Sequence, residues 1–115
     1  MIHVYLDDLR PCPKGFVLAR NAAECIELLG SCEVDILSLD HDLGWDEPTG
    51  YAVAQYIVES GRYPRDIYMH SSSAMGRSAM FQLLYPNRPE GAQVHIVAVP
   101  EERLLRIMRE AKRQL

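Results

Sequence analysis

Apolar residues along the chain alternate between two spacings. Five short apolar runs are typical of buried strands, and they cover residues 2–6, 16–19, 34–39, 67–69 and 94–99. Four other segments have apolar residues at helical spacing, and they cover residues 21–30, about 50–61, about 76–84 and 100–115. In the last of these the apolar stripe consists of Leu104, Ile107, Met108, Ala111 and Leu115. The alternation predicts strands separated by helices.

Residues that favour helix ends lie at the borders of the helical segments. Asn21, followed three residues later by Glu24, predicts the start of the first helix, and Gly30 predicts its end. The third helix is expected to stop before Pro86. Pro100 suits the first position of the last helix, because the fixed backbone angle of proline matches a helix start.

Strands separated by helices predict a parallel α/β sheet with helices on both faces. No repeat or linker interrupts the pattern, so residues 1–115 are predicted to form one domain. The first connection is short: residues 9–15 contain two prolines and a glycine, whereas parallel strands normally need a crossover of about a dozen residues or more. Either the first crossover helix has been lost, or the strand prediction at residues 16–19 is wrong.

Composition narrows the class of protein. Hydrophobic residues make up 48% of the chain and charged residues 24%, which are ordinary values for globular proteins. No apolar run approaches the length of a membrane span, and the amino-terminal residues lack the basic start of a signal peptide. The three cysteines lack CxxC spacing, which disfavours a disulfide framework or a zinc ribbon. The net charge of −4 disfavours non-specific binding to duplex DNA. The sequence therefore predicts a cytoplasmic protein without membrane contact and leaves its oligomeric state open.

Polar and acidic residues gather directly after three of the predicted strands. The three clusters are Asp7-Asp8 after the first strand, Asp40-His41-Asp42 after the third, and His70-Ser71-Ser72-Ser73 after the fourth. In an open parallel sheet, ligands bind beyond the carboxyl ends of the strands, and neighbouring strands lie only about 4.8 Å apart. We therefore expect the three clusters to share one site.

The aspartates of these clusters suggest a metal ion. Crowded carboxylates repel one another unless a cation joins them, and oxygen ligands without cysteine favour Mg²⁺ or Mn²⁺. Asp7, Asp8 and Asp40 are the predicted ligands; the alternative is that they only cap helices and turns. Arg10 in the first loop and Arg77 at a helix start are candidate phosphate-binding residues, and the alternative for both is a solvated surface arginine.

Two of the four histidines are candidates for chemistry. His41 and His70 lie at carboxyl ends of strands, whereas the other two lie near strand starts. Side chains alternate along a strand, so Asp40 and His41 would point to opposite faces if the strand continued through them. A turn that begins at Asp40 would remove this objection. Asp42 is expected either to orient His41 or to cap its own loop.

These residues resemble the response-regulator receiver fold. In receivers an aspartate pair and a third aspartate bind Mg²⁺, the third is phosphorylated, and a serine or threonine ends the fourth strand; Asp7, Asp8, Asp40 and Ser71 match these positions. Receivers also have a lysine just before a proline after the fifth strand. Val99 occupies that position here, which weighs against an ordinary phosphorelay receiver.

A divergent group of this fold, the cyclic-phosphate processing receiver domain, is a closer match. The motifs that resemble it are Tyr5-Leu6-Asp7-Asp8-Leu9-Arg10-Pro11, Leu39-Asp40-His41-Asp42-Leu43-Gly44, Thr49-Gly50-Tyr51, and His70-Ser71 with Gly76-Arg77. The resemblance implies a flavodoxin-like, three-layer domain with a five-stranded parallel sheet of order 2-1-3-4-5 and a shortened or lost first crossover helix. One departure is that Ser73-Ala74 stands where the group usually has Asn-Pro, so this loop lacks that amide donor and that rigid proline.

The resemblance implies a metal-dependent hydrolase that opens a cyclic phosphate on a nucleotide or an RNA end. Opening the ring requires an activated water, a proton for the leaving oxygen and shielding of charge on phosphorus. His41 and His70 are the predicted base and acid, and Ser71 is expected to donate to a phosphate oxygen. Arg10 or Arg77 would assist a cation held by the three aspartates.

Three alternatives remain open at the level of sequence. Asp40 itself could attack phosphorus and form an aspartyl phosphate, as in receivers. The chain could be a non-enzymatic signalling module that is phosphorylated on Asp40 and docks a partner. It could also be a pseudo-enzyme that senses nucleotides without turnover.

Trp45, the only tryptophan, lies three residues after the acidic cluster that follows the third strand. One hypothesis is that it stacks on a substrate base. The favoured hypothesis is that it packs on the helix that follows.

Overall fold

The computed structural model describes residues 1–114, which form a five-stranded parallel sheet and four helices. The strands are β1 (Ile2–Leu6), β2 (Val17–Ala19), β3 (Val34–Leu39), β4 (Asp66–Met69) and β5 (Gln93–Val94). The helices are α1 (Ala22–Ser31), α2 (Gly50–Ser60), α3 (Ala74–Leu84) and α4 (Glu101–Arg113). The strand order β2-β1-β3-β4-β5 confirms the predicted fold.

No helix connects β1 to β2. The predicted strand at residues 16–19 exists as Val17–Ala19 and pairs in parallel with β1, so the first crossover helix has been lost. The connecting loop packs on α4: a Cβ atom on Gly15 would lie 2.7 Å from Ile107 Cγ2. Phe16 at the end of the loop packs edge-on against Tyr5, with ring centroids 6.1 Å apart. The loop and its aromatic residue therefore cover part of the sheet face on which α4 lies.

Alternation of side chains along the strands divides the core into two layers. Leu37, Leu39 and their neighbours pack against α1, α2 and α3 in the larger apolar cluster. Ile36 and Tyr68 point the other way and form a smaller cluster with residues of α4, including Ile107. Helices thus cover both faces, as expected, but three lie on one face and only α4 on the other.

Several predicted helix and strand ends shift by one or more residues. Helix α3 begins at Ala74 rather than near Gly76, because the Ser73 side chain accepts a hydrogen bond from the Gly76 amide and caps the helix earlier. Strand β5 is much shorter than the predicted 94–99, although the Met69 amide still donates to the Val97 carbonyl at 2.8 Å. Pro100 is the N-cap of α4 rather than its first residue. Leu115, the last position of the predicted stripe, lies outside the described residues.

Helix α1 runs one residue past Gly30, and its predicted start is confirmed. The Asn21 side chain accepts from the Glu24 amide at 2.9 Å, and the Glu24 carboxylate accepts from the amide of Arg20. None of the helices within residues 1–114 is long and apolar enough to cross a membrane.

Candidate functional site

Asp7 follows the last residue of β1 and is almost completely buried. Its Oδ1 accepts from the amides of Leu9 and Arg10 at 2.9 and 2.8 Å, and its Oδ2 accepts from the Arg10 guanidinium at 3.1 Å and from His70 Nε2 at 2.9 Å. Burial opposes ionisation, but the backbone hydrogen bonds from Arg10 and Leu9 outweigh it and lower the pKa of Asp7. Asp7 is therefore a charged carboxylate whose roughly four acceptor positions are all used.

His70 is held on both sides of its ring. Its Nδ1 lies 2.6 Å from Ser38 Oγ, its Nε2 is bonded to Asp7, and its ring stacks on Tyr5 with centroids 4.3 Å apart. Burial lowers the pKa of His70, so the imidazole is neutral near pH 7. Because a charged Asp7 can only accept, Nε2 carries the proton and Nδ1 accepts from the Ser38 hydroxyl.

This arrangement bears on the predicted role of His70 as a general acid or base, which stays a prediction. Both ring nitrogens are engaged inside the protein, so His70 positions Asp7 rather than presenting a nitrogen to substrate. Sequence reasoning missed its partners Ser38 and Tyr5, which are register neighbours on β3 and β1. The available signal was a hydroxyl within the otherwise apolar end of β3.

Asp40 follows β3 and is 7% exposed. Its Oδ1 accepts from the His41 amide at 2.9 Å, and its carboxylate also takes a hydrogen bond from the Ser71 side chain. Burial, and next the negative charge of Asp7, raise the pKa of Asp40. Oxygens of Asp7 and Asp40 and a nitrogen of His70 lie within 4.8 Å of one another, so the clusters of β1, β3 and β4 do meet.

A glycine allows the chain to pass close behind Asp40. The Gly50 amide donates to the His41 carbonyl at 2.8 Å, and a Cβ atom at this position would collide with the Asp40 carbonyl oxygen. The start of α2 therefore lies directly against the turn that follows β3. Only glycine leaves room for this approach.

An open cavity of about 500 Å³ lies at this edge of the sheet. Four carboxylates line it together with a single cationic side chain, that of Arg10; the lining residues are Asp7, Asp8, Leu9, Arg10, Asp40, Asp42, Leu43, Gly44, Thr49 and Ser72. A slightly larger cavity at the opposite edge is lined by none of the candidate residues. The acidic cavity is thus where the predicted groups of β1 and β3 come together.

His41 lies beside this cavity and does not line it. Its Nδ1 is 2.8 Å from Asp42 Oδ1, so Asp42 orients the ring as expected. The ring also rests on Gly76 in the first turn of α3, where any Cβ atom would collide with it. Strand β3 ends at Leu39 and the chain bends at His41, so strand alternation does not separate the side chains of Asp40 and His41. His41 Nε2 makes no hydrogen bond within residues 1–114.

The two candidate arginines do not line the same cavity. Arg10 lines the acidic cavity, where its guanidinium donates to Asp7 and, at 3.4 Å, to the His70 carbonyl. Arg77 donates to the Ser71 carbonyl and lines a different cavity, next to the chain that follows β5. Ser71 is buried and bonded to Asp40, and the next residue, Ser72, lines the acidic cavity. The structure therefore brings Arg10, but not Arg77, into the acidic cavity.

The donor set of the acidic cavity fits a hard divalent cation. All the available ligand atoms are oxygens, which Mg²⁺ and Mn²⁺ prefer. The Asp7 carboxylate already accepts four hydrogen bonds and that of Asp40 accepts two, whereas the Asp8 carboxylate accepts none within residues 1–114. Burial, and next the negative charge of Asp7, raise the pKa of Asp40, and a bound cation would oppose both effects. Asp7 and Asp40 offer carboxylate oxygens within 4.8 Å of each other, and Asp8 lines the same cavity outside this close group.

Trp45 does not pack on the following helix. Its side chain is 94% exposed, so the favoured expectation is wrong. Leu9, which lines the cavity, is 84% exposed. Large apolar side chains therefore stand in solvent beside an acidic cavity.

A comparison with protein families finds one match to this chain. The model of the cyclic-phosphate processing receiver domain matches residues 2–86, which is 85 of the 115 residues. This range runs from β1 through α3 and includes every candidate site residue. A search of curated proteins gave no significant match.

Proposed function

The chain belongs to the cyclic-phosphate processing receiver domain family, and from this premise we propose that its acidic cavity hydrolyses a cyclic phosphodiester. The substrate class is a nucleotide or an RNA end that carries a cyclic phosphate. The products are the ring-opened phosphomonoesters, formed when water adds at phosphorus and one ester oxygen leaves with a proton.

The observation that carries the proposal is the composition of the cavity. Asp8, Asp40 and Asp42 line it with one cationic side chain, Arg10, so a phosphate anion would be repelled unless a further cation entered. Asp8 and Asp40 are the proposed ligands of Mg²⁺ or Mn²⁺. When bound, the cation neutralises phosphoryl charge and lowers the pKa of a coordinated water.

Arg10 is the proposed phosphate-binding residue of the chain itself. Its guanidinium is held by Asp7 Oδ2, and Asp7 is in turn held by His70. His70 is fixed by Ser38 and by the ring of Tyr5. This series of contacts keeps a positive charge at the cavity wall without a large loss of side-chain entropy when substrate binds.

His41 is the proposed acid–base residue. Asp42 accepts from Nδ1–H, which leaves the Nε2 lone pair available to take a proton from water or, once protonated, to give one to the leaving oxygen. Ser71 has a different proposed role from the one expected, since its hydroxyl is directed to Asp40 rather than to substrate.

Asp40 offers a second chemical route to the same products. Asp40 lines the acidic cavity, and a carboxylate can act as the nucleophile at phosphorus. Its attack on phosphorus would open the ring with proton transfer to the leaving oxygen, and water would then cleave the acyl phosphate.

Phosphorylation of Asp40 as a signalling event is the alternative function. The clustering of Asp7, Asp8 and Asp40 supports it. Against it, Val99 is buried in the smaller apolar cluster with Ile36 and Tyr68, so no cation reaches Asp40 from the position that receivers use for lysine.

The test is a turnover assay on 2′,3′- and 3′,5′-cyclic nucleotides and on RNA with a cyclic phosphate end, in Mg²⁺, in Mn²⁺ and in EDTA. We expect metal-dependent turnover that is abolished by Asp40→Asn and reduced by roughly 100-fold or more by His41→Ala. The matched control is Asp35→Asn, since Asp35 lies at the other end of β3, five residues or roughly 16 Å from Asp40, and should leave turnover unchanged.

Two results would overturn the enzymatic proposal. Stable incorporation of phosphate on Asp40 from acetyl phosphate, without turnover of any cyclic substrate, would establish a signalling module. Binding of cyclic nucleotides without turnover in any metal would establish a nucleotide sensor.

A further inference from the structure

Trp45 occupies an unusual place for a large aromatic side chain. It is 94% exposed, although a buried tryptophan would contribute more to folding than almost any other residue. It follows Gly44, which lines the acidic cavity, so its Cα lies about 3.8 Å from the Cα of a lining residue. The backbone of Trp45 therefore lies beside the cavity wall, with its side chain in solvent.

A tight turn holds Trp45 in this position. The Glu47 amide donates to the Gly44 carbonyl at 3.3 Å, which closes a four-residue turn with Trp45 second. Asp46, third in the turn, has a φ of 61°, and Gly44 has a φ of 112°. A Cβ atom on Gly44 would lie 3.6 Å from Asp8 Oδ2, so the turn rests directly against a cavity carboxylate. The turn thus places the backbone of Trp45 next to Asp8, one of the proposed cation ligands.

A second exposed apolar residue comes from the neighbouring strand. Leu9 follows β1, which pairs directly with β3, and its side chain is 84% exposed at the lining of the same cavity. Its amide is bound to Asp7 Oδ1, and this fixes the loop. Apolar side chains from two adjacent strand ends therefore stand beside the group of carboxylates.

We propose that Trp45 and Leu9 bind the nucleobase of the substrate, so that the domain selects a cyclic phosphate that carries a base. This inference rests on the proposed function, since it assigns the cyclic phosphate to the acidic cavity. The flat face of the indole ring matches the π-face that every base has, and stacking of this kind tolerates different bases. Selection of a base by stacking predicts little discrimination between purines and pyrimidines and strong discrimination against a ribose that has no base.

The single tryptophan supplies a direct binding assay, because all indole emission comes from Trp45. Adenosine 2′,3′-cyclic phosphate and ribose 2′,3′-cyclic phosphate differ only in the base and serve as matched ligands; adenosine 3′,5′-cyclic phosphate tests the other ring size. We expect saturable quenching by an adenosine ligand and no saturable change with the ribose ligand. Unchanged emission with both adenosine ligands would overturn the inference.

Kinetics test the same residue independently. Trp45→Ala should raise KM for the base-bearing substrate by roughly 5- to 100-fold with kcat nearly unchanged, because stacking in the ground and transition states is lost equally. The variant should leave KM for the ribose substrate unchanged, Trp45→Phe should recover part of the loss, and Leu9→Ala should show a smaller rise in the same direction. The aromatic control is Tyr85→Ala at the other end of α3, which should not change either KM.

The outcomes separate this inference from the proposed function. Suppose that the adenosine and the ribose substrate are both hydrolysed, and that Trp45→Ala changes KM for neither. That result would refute base binding and leave the proposed hydrolase function intact. Saturable quenching by adenosine ligands without turnover in any metal would refute the hydrolase and support base binding. Absence of both turnover and quenching would refute both.

Discussion

Replacement of Asp40 by asparagine should stabilise the domain near pH 7 in the absence of divalent cations. Asp40 is 7% exposed, and its carboxylate lies within 4.8 Å of that of Asp7. Asparagine has nearly the same shape, and its side-chain oxygen can still accept from the His41 amide. The substitution therefore removes a charge from a crowded site with little change in packing.

The electrostatic terms give the size of the effect. Two like charges 4.8 Å apart repel by about 3.5 kcal/mol at an effective dielectric constant of about 20. Arg10, which is paired with Asp7 at 3.1 Å, offsets part of this repulsion. We expect a net gain of about 1–2 kcal/mol, which is typical when a functional-site charge is removed. At about 2.1 cal/mol/K of unfolding entropy per residue, this corresponds to a rise in Tm of about 4–8 °C.

The pH dependence has a definite sign. The pKa of Asp40 is raised in the folded protein, so the folded state binds this proton more tightly than the unfolded chain does. The penalty from charged Asp40 is fully present above its folded pKa, decreases as the pH falls through that value, and is gone below the unfolded value of about 3.9. The advantage of Asp40→Asn should therefore shrink in the same interval. The titratable and charged neighbours of the Asp40 carboxyl group are Asp7, His70 and Arg10, and they are present in both the wild type and Asp40→Asn.

The assay is urea unfolding followed by circular dichroism, in EDTA, near pH 7 and near pH 4. Asp35→Asn is the control, because Asp35 lies 4.0 Å from a histidine nitrogen and 3.7 Å from Arg65, so loss of its charge removes attraction rather than repulsion. Mg²⁺ should then stabilise the wild type and leave Asp40→Asn unchanged, since only a state that binds the ion gains from it. If Asp40→Asn is no more stable than the wild type near pH 7, repulsion between Asp7 and Asp40 does not destabilise the folded state.

Two further substitutions test the support of the site. Ser38→Ala should cost about 1–3 kcal/mol in urea unfolding, because it leaves Nδ1 of buried His70 without a donor; a cost below about 0.5 kcal/mol would mean that the bond is unimportant. Gly50→Ala should lower the free energy of unfolding by about 1–3 kcal/mol, despite the helix preference of alanine, because its Cβ atom collides with the Asp40 carbonyl. Gly30→Ala is the control for thermal unfolding, because Gly30 is also in a helix. A Cβ atom there would meet only the end of the Tyr56 side chain, 3.1 Å away, which can move aside. Equal Tm values for the two glycine variants would contradict the proposed close approach.

The sequence alone determined the sheet and the edge at which the site lies. Local patterns specify these features: strand-like apolar runs, the cap formed by Asn21 and Glu24, and aspartates placed directly after β1 and β3. Because parallel strands all end at one edge, residues that are distant in sequence can be assigned to one site without coordinates. The same patterns left the loss of the first crossover helix undecided on topology alone, and the resemblance to a known family favoured it.

Only the tertiary structure decided what each side chain contacts. His70 meets Ser38 across 32 residues and Asp7 across 63, so both nitrogens of this predicted acid or base are hydrogen-bonded inside the protein. The exposure of Trp45 depends in the same way on a turn that no hydrophobic pattern specifies. Whether a segment forms a helix or a strand follows from the spacing of its apolar residues. The protonation, orientation and exposure of a functional group follow from neighbours that only the folded chain brings within hydrogen-bonding distance.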